Sequence, residues 1–503
     1  MDNVKSNNAN RRQKRVSFVL ISMIFMFMNA RFSPEIHRLP DSLEAFTSYL
    51  DQRIPALMSR YNIPGASIAL IRGGKLVWSN AYGYANVEEK RPLTVQSVCR
   101  AESISKSVTA WGVMKLVEQG LIELDAPVQQ YLRHWQIPDS ELDEQAVTVR
   151  MLLSASAGMP LGEIGKAVEY APQSEIPSLQ DYLTREARLI QKPGAGYLYS
   201  NVGFNLLELL IEEVTGRDFA EYMENEVLHP LGMKASSFAW DESFDSLIPN
   251  GHELDGAPVL PYVYPAKASG GLFTSVEDLA RFVGSGMTGA FYSEKSVLTQ
   301  DSLYQMYTPQ VKVSGVYSFV AEDYGFGHFI EYLPAGQKAV WHGGQGHGWM
   351  THFHSVPETG DGIIILTNSQ RSWPFIADLL SEWTNWNNFG SVKFEKISYA
   401  TAASWIFIGL VTLLSLTLTF NLVRGIVNGT LKFEPFAAGA SHVRLFKVAT
   451  GMSVTAFLGW RISQPYLFEA SIFPASAGWA GLALLALSNV LIVSALFSSD
   501  QQP

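Results

Sequence analysis

Ser103 and Lys106 form the only Ser-x-x-Lys of this 503-residue chain, within Arg100-Ala-Glu-Ser-Ile-Ser-Lys-Ser-Val-Thr-Ala-Trp-Gly112. A serine and a lysine three apart on a helix lie on one face, one above the other. A neutral lysine amine so placed takes the hydroxyl proton and leaves an alkoxide-like nucleophile. That chemistry suits acyl transfer. Two further groups follow in chain order, Tyr199-Ser-Asn201 and His342-Gly-Gly344, the second being the only His-x-Gly present. Tyr84-Ala-Asn86 repeats the Tyr-x-Asn pattern, but it precedes the nucleophile and ends a strand-like run, so it reads as core and turn.

The elements that must position these groups are legible around them. Behind Ser103, the apolar residues Val108, Trp111, Met114 and Val117 recur at helical spacing until Gly120. Tyr199 follows Lys192-Pro-Gly-Ala-Gly196 and opens a helix over 203–214. Asp41-Ser42 begins a helical pattern with Leu43, Phe46, Leu50, Ile54 and Leu57 on one face. Two β-rich runs, 66–71 and 75–82, are joined by Gly73-Gly74, a strong hairpin signal. Residues 125–300 read as helices and loops, with helical runs near 200–215, 217–228 and 274–283. The β signal returns at 338–342, 349–356 and 363–366, and 374–387 reads as an amphipathic helix. Strands at both ends with helices between predict an α/β (α+β) fold. Its antiparallel sheet is built from both ends and flanked by helices, with a helical subdomain inserted and the site at the seam.

A net charge of −10 argues against a nucleic-acid partner, which would need a basic face. The 47% hydrophobic content supports large cores. Cys99 is the single cysteine, so no disulfide framework exists, and it reads as a small buried hydrophobe.

Both ends point to a membrane. Lys5, Arg11, Arg12, Lys14 and Arg15 precede the apolar run 16–28, the layout of a signal peptide or signal anchor over 1–34. Residues 400–423 and 471–497 carry no charge and are each long enough to cross a bilayer. The stretch 448–460, bracketed by Lys447 and Arg461, either spans or lies at the interface. Arg424, Lys432, Arg444 and Lys447 mark the loop after the first span as cytoplasmic. The expected order is a leader over 1–34, a hydrolase domain over 35–395 outside the cytoplasm, and a multi-pass membrane region over 396–503.

Ser103-x-x-Lys106, Tyr199-x-Asn201 and His342-x-Gly344 together resemble the serine β-lactamase and penicillin-binding protein family. The likeness is to its class C branch, which includes D-alanyl-D-alanine carboxypeptidases and related esterases. It covers roughly 40–390 and extends to Pro64-Gly-Ala-Ser-Ile-Ala, Gly120-Leu-Ile-Glu-Leu-Asp-Ala-Pro127, Pro230-Leu-Gly-Met233, the run from Ser269-Gly-Gly to Leu279, and Leu366-Thr-Asn368. The resemblance implies that Ser103 becomes acylated while Lys106 and Tyr199 share the proton work, the lysine ammonium favouring phenolate on the tyrosine. Asn201 would hold the lysine or the substrate amide. Backbone N–H groups of Ser103 and Gln345 would hold the oxyanion. Gly343 and Gly344 would let substrate approach the strand edge, and His342 would supply a hydrogen bond and, when protonated, a charge. The substrate would be a small molecule or peptide carrying an amide or ester, with membrane lipid as the other partner. No cofactor is implied.

This chain departs from the family pattern in three places. His-Gly-Gly replaces Lys-Thr-Gly, removing a permanent charge and a hydroxyl that commonly hold a substrate carboxylate; this favours esters or less acidic peptides. Glu102 stands where a small residue is usual, and either faces solvent or biases the Lys106 pKa upward. Ala155 stands where the family often has histidine, a structural loss. Two rival readings remain: a metal site using His352 and His354, which share a strand face, and a catalytically silent membrane receptor on the same fold.

Overall fold

Gly73 and Gly74 take φ values of +59° and +70°. Two consecutive left-handed residues give a turn whose twist matches its flanking strands. They join β1 (Gly65–Arg72) to β2 (Lys75–Asn86). The computed structural model describes residues 42–293, 296–435, 442–463 and 468–499. The leader expected over 1–34 lies outside them. Ser42 caps α1 (Leu43–Tyr61) by accepting from the Ala45 N–H, and Phe46, Leu50, Ile54 and Leu57 are buried at the predicted spacing.

The larger unit, residues 40–398 with 470–474, is organised on one nine-stranded antiparallel sheet. Its remaining main strands are β3 (Phe329–Tyr332), β4 (Lys338–Gln345), β5 (Met350–Val356) and β6 (Asp361–Thr367). Order across the sheet is Arg91–Pro92, β2, β1, β6, β5, β4, β3, Asp323–Tyr324, Val311–Lys312. β1 and β6 pair along six residues, from Ala66↔Thr367 to Ile71↔Gly362. The sheet is thus made from both ends of the unit. β1 is buried over seven of its eight residues and β5 over all seven, as expected for strands covered on both faces. The helix Trp373–Trp386 lies on the α1 side, its Trp386 ring stacked on Phe46 at 4.2 Å.

Between the two groups of strands lies the helical part. It includes α2 (Ser105–Glu118), α3 (Asn201–Thr215) and the helix Val276–Ser285. Val108, Trp111 and Met114 are buried on α2, and Gly120 ends the run with φ +69°. Three short strands were not expected from the sequence: Phe329–Tyr332, Asp323–Tyr324 and Val311–Lys312. Tyr84 also departs from the core reading. It is exposed while Ala85 is buried, and Asn86 accepts from the Glu89 N–H in the turn.

A second unit holds most of the apolar C-terminal segment. Glu395–Val427 and Ala477–Ala495 are long and apolar enough to cross a membrane by length and composition. The intermediate stretch forms one helix, His442–Ser463, which carries Arg444, Lys447 and Arg461. It packs closely on Ala477–Ala495: Ser488 Oγ donates to the Gly451 carbonyl at 2.7 Å, and a methyl at Gly451 would fall 2.6 Å from Ile492 Cγ1.

Candidate active site

Ser103 lies on a 3₁₀ turn, Glu102–Ile104, that runs directly into α2. The turn begins with Glu102 at φ +51°, an uncommon conformation for a residue with a side chain. One helical turn later Lys106 is fully buried. Its Nζ lies 3.1 Å from Ser103 Oγ, 2.8 Å from Asn201 Oδ1 and 2.8 Å from the Ser269 carbonyl oxygen. The last two atoms only accept hydrogen bonds. A neutral amine therefore spends both N–H groups on them and keeps its lone pair for the serine hydroxyl.

Asn201 reaches this point because it opens α3, where Ser200 caps the helix by accepting from the Gly203 N–H. Tyr199, two residues earlier, lies beside Ser103, whose hydroxyl favours its ionised form. The Lys106 Nζ stands 5.0 Å from the centre of the Tyr199 ring. The structure thus brings Ser103, Lys106, Tyr199 and Asn201 into one cluster. The Tyr84–Asn86 copy takes no part.

Burial lowers the Lys106 pKa to about 7, against the opposing pull of the Glu102 charge. Tyr199 behaves in the opposite way to the expected phenolate. Burial, with Tyr317 and Tyr324 beside it, raises its pKa well above the ordinary value, and the nearby Ser103 hydroxyl only partly opposes this. The amine is the group that is easily neutral, and the phenol stays protonated.

His342 is buried, 6.3 Å from the Tyr199 ring. Its Nδ1 lies 2.8 Å from the Gly343 carbonyl oxygen and its Nε2 3.3 Å from the Tyr324 hydroxyl. Burial and the nearby Lys106 push its pKa well below the ordinary histidine value, so the expected protonated charge is absent near neutral pH.

Gly343 and Gly344 also differ from expectation. A methyl at Gly344 would collide with the Ala101 carbonyl oxygen and Thr351 Oγ1, and one at Gly343 would fall 2.9 Å from Trp373. Their bareness admits the protein's own groups, and so seats β4 against the turn that carries Ser103. Gln345, at the end of β4, has its side-chain amide held between Trp373 Nε1 (2.9 Å) and Ser471 Oγ (2.8 Å).

Glu102 does not face solvent. It is buried and paired with Arg100, and its carboxylate accepts from the Tyr262 and Tyr264 hydroxyls at 3.2 and 3.0 Å. The Tyr262 hydroxyl in turn accepts from the His347 N–H at 3.0 Å. His347 itself sits between Glu169 (2.8 Å) and Glu253 (2.9 Å). Sequence reasoning missed this network. Its only outward sign was a charge directly before the nucleophile. It also missed Ser269, whose role is played by a backbone carbonyl that no side-chain pattern announces.

His352 and His354 are buried side by side on β5, among Trp341, Phe394 and Trp383. Among the described residues, no three histidine, cysteine or acidic side chains are grouped so as to hold a metal ion. Cys99 is buried, and burial pushes its thiol up to about 12, which suits a structural residue. Ala155 is buried at φ +52° and accepts from the Leu198 N–H, just before Tyr199.

Comparison with known proteins agrees with this geometry. The β-lactamase family model matches residues 50–381. Protein flp of Staphylococcus aureus (strain MRSA252) is 23% identical over 75% of this chain and 74% of its own length. Penicillin-binding protein 4* of Bacillus subtilis (strain 168) is 24% identical over 64% of this chain and 72% of its own. Among solved structures, the octameric penicillin-binding protein homologue from Pyrococcus abyssi superposes with a TM-score of 0.54 at 30% identity, covering 64% of this chain and 73% of that one. The chain belongs to the β-lactamase family.

Proposed function

We propose that this protein is a membrane-held serine hydrolase that cleaves amide or ester substrates through an acyl-enzyme on Ser103. The observation that carries the reading is the buried Lys106 amine, 3.1 Å from the Ser103 hydroxyl, with its N–H groups committed elsewhere. Ser103 Oγ attacks the carbonyl carbon as its proton passes to Lys106 Nζ. The Ser103 and Gln345 N–H groups receive the oxyanion. Tyr199, protonated beside Ser103, passes a proton to the leaving group as its bond to the carbonyl carbon breaks, and regains one from the Lys106 ammonium, which returns the amine to its free form. Water then repeats the sequence and releases the acid.

A buried, neutral His342 supports the ester reading over one that requires a carboxylate beside the scissile bond. The apolar helices Glu395–Val427 and Ala477–Ala495 support attachment to a membrane, and the basic residues noted above support a catalytic unit outside the cytoplasm. The test is labelling with a fluorescent fluorophosphonate. The full chain should label, and Ser103→Ala should not. Unlabelled but folded wild-type protein would instead favour the silent receptor.

A further inference from the structure

The turn Gly315–Phe319 forms one wall of the site. Its Tyr317 ring stacks on Tyr199 at 4.9 Å. In a 3₁₀ turn, residues three apart lie one above the other, so Val316 and Phe319 share the opposite, outward face. They are 56% and 46% exposed. Across the site, the Asn201 N–H is bound to the Leu161 carbonyl, and Leu161 and Ile164 are also exposed. Exposed apolar side chains thus lie on the two segments that touch Tyr199 and Asn201.

The same turn is tied to the chain's exit from the catalytic unit. Lys396 Nζ donates to the Phe319 carbonyl at 3.2 Å and stands 5.4 Å from its ring centre. Lys393 pairs with Glu322 at 2.8 Å, and its N–H donates to Glu331 at 2.9 Å. Lys396 lies in the first turn of Glu395–Val427, the longer of the two apolar helices. This exposed apolar turn is thus hydrogen-bonded to the first residues of a helix long and apolar enough to cross a bilayer.

Resting on the acyl-enzyme reading, we infer that the substrate is a bilayer-surface amphiphile, an ester or amide bearing a long alkyl chain. Val316 and Phe319 receive the chain while Ser103 takes the acyl group. The Ser103–carbonyl bond forms, the bond to the alcohol or amine breaks, and that leaving atom takes the proton. Water completes hydrolysis.

The test uses the full chain in zwitterionic detergent, with p-nitrophenyl butyrate and p-nitrophenyl laurate as probes. Wild type should show a laurate-to-butyrate ratio of kcat/KM of about tenfold, the gain from sheltering roughly two methylenes. Val316→Ser with Phe319→Ser should collapse that ratio, and Val316→Ile with Phe319→Leu should restore it. A flat ratio alongside Ser103-dependent butyrate hydrolysis would overturn the inference and leave the acyl-enzyme reading standing. So would a high ratio that the serine pair leaves untouched. Absence of Ser103-dependent turnover of either ester would sink both.

Discussion

Glu102 and Arg100 meet at 2.7 Å with both side chains sealed from solvent, one residue before the nucleophile. The guanidinium also donates to the Tyr262 and Gly270 carbonyls, so the loop beneath the site is gathered on one cation. Removing one partner of a buried pair leaves the other uncompensated, at a cost of roughly 3–5 kcal/mol. Arg100→Met should therefore lower the thermal unfolding midpoint by many degrees, measurable by calorimetry. An unchanged midpoint would show the pair to be dispensable.

The Glu102 charge also raises the Lys106 pKa, against the larger effect of burial. Glu102→Gln should move the acid limb of the pH–kcat/KM profile to lower pH, because the neutral amine is then easier to reach. A shift to higher pH would contradict the electrostatic role.

In the wild type that acid limb should fall near pH 7, since Lys106 titrates at about 7 and works as the free amine. Activity should rise with pH through this value. Lys106→Met and Tyr199→Phe should each slow fluorophosphonate labelling by roughly 10²–10⁴-fold, the usual worth of positioned acid–base help. Labelling at the wild-type rate by either variant would remove that residue from the mechanism.

Gly344→Ala should be far more damaging than Gly343→Ala. The first drives a methyl into the Ala101 backbone and Thr351, whereas the second meets the edge of the Trp373 ring and, less closely, His352. Overpacking of this kind costs about 1–3 kcal/mol, and yielding backbone would displace Gln345 from Ser103. Parallel measurements of melting temperature and esterase rate should rank the two variants in that order.

Buried histidines weaken the fold in acid. His328 titrates at about 4 and His354 at about 3, both lowered by burial, while the unfolded chain binds the same protons near pH 6.5. As pH falls below 6.5 the unfolded state takes up protons that the folded state refuses, so stability drops. His342 and His352 act in the same direction. Glu208 and Glu331, raised by burial to about 8 and about 7, act oppositely but are fewer; urea midpoints should therefore fall from pH 7 to pH 5, and His354→Gln should flatten that slope.

The nucleophile turn, the hairpin and the late strands were legible because each rests on local signals. These were Ser103-x-x-Lys106, the paired glycines at 73 and 74, and apolar periodicity. The site's electrostatics were not legible. Whether Tyr199 is phenol or phenolate, and whether His342 carries charge, depends on how completely distant segments cover them. Tyr317 and Tyr324 reach Tyr199 from a turn and a strand too short to show any pattern. Glu102 was ambiguous for the same reason, since its partners Tyr262 and Tyr264 lie about 160 residues away in sequence.

Ala66 and Thr367 stand opposite each other in adjacent strands. The hairpin made first must therefore wait, its flank open, until some three hundred further residues have left the ribosome. Contacts of such long separation slow folding. Only when β6 arrives does the sheet gain its middle, and after the helix Trp373–Trp386 the chain runs into the apolar Glu395–Val427. Completion of the sheet and emergence of that apolar helix are consecutive events in synthesis, so a truncation before residue 367 would release a chain with Ser103 but no frame to hold it.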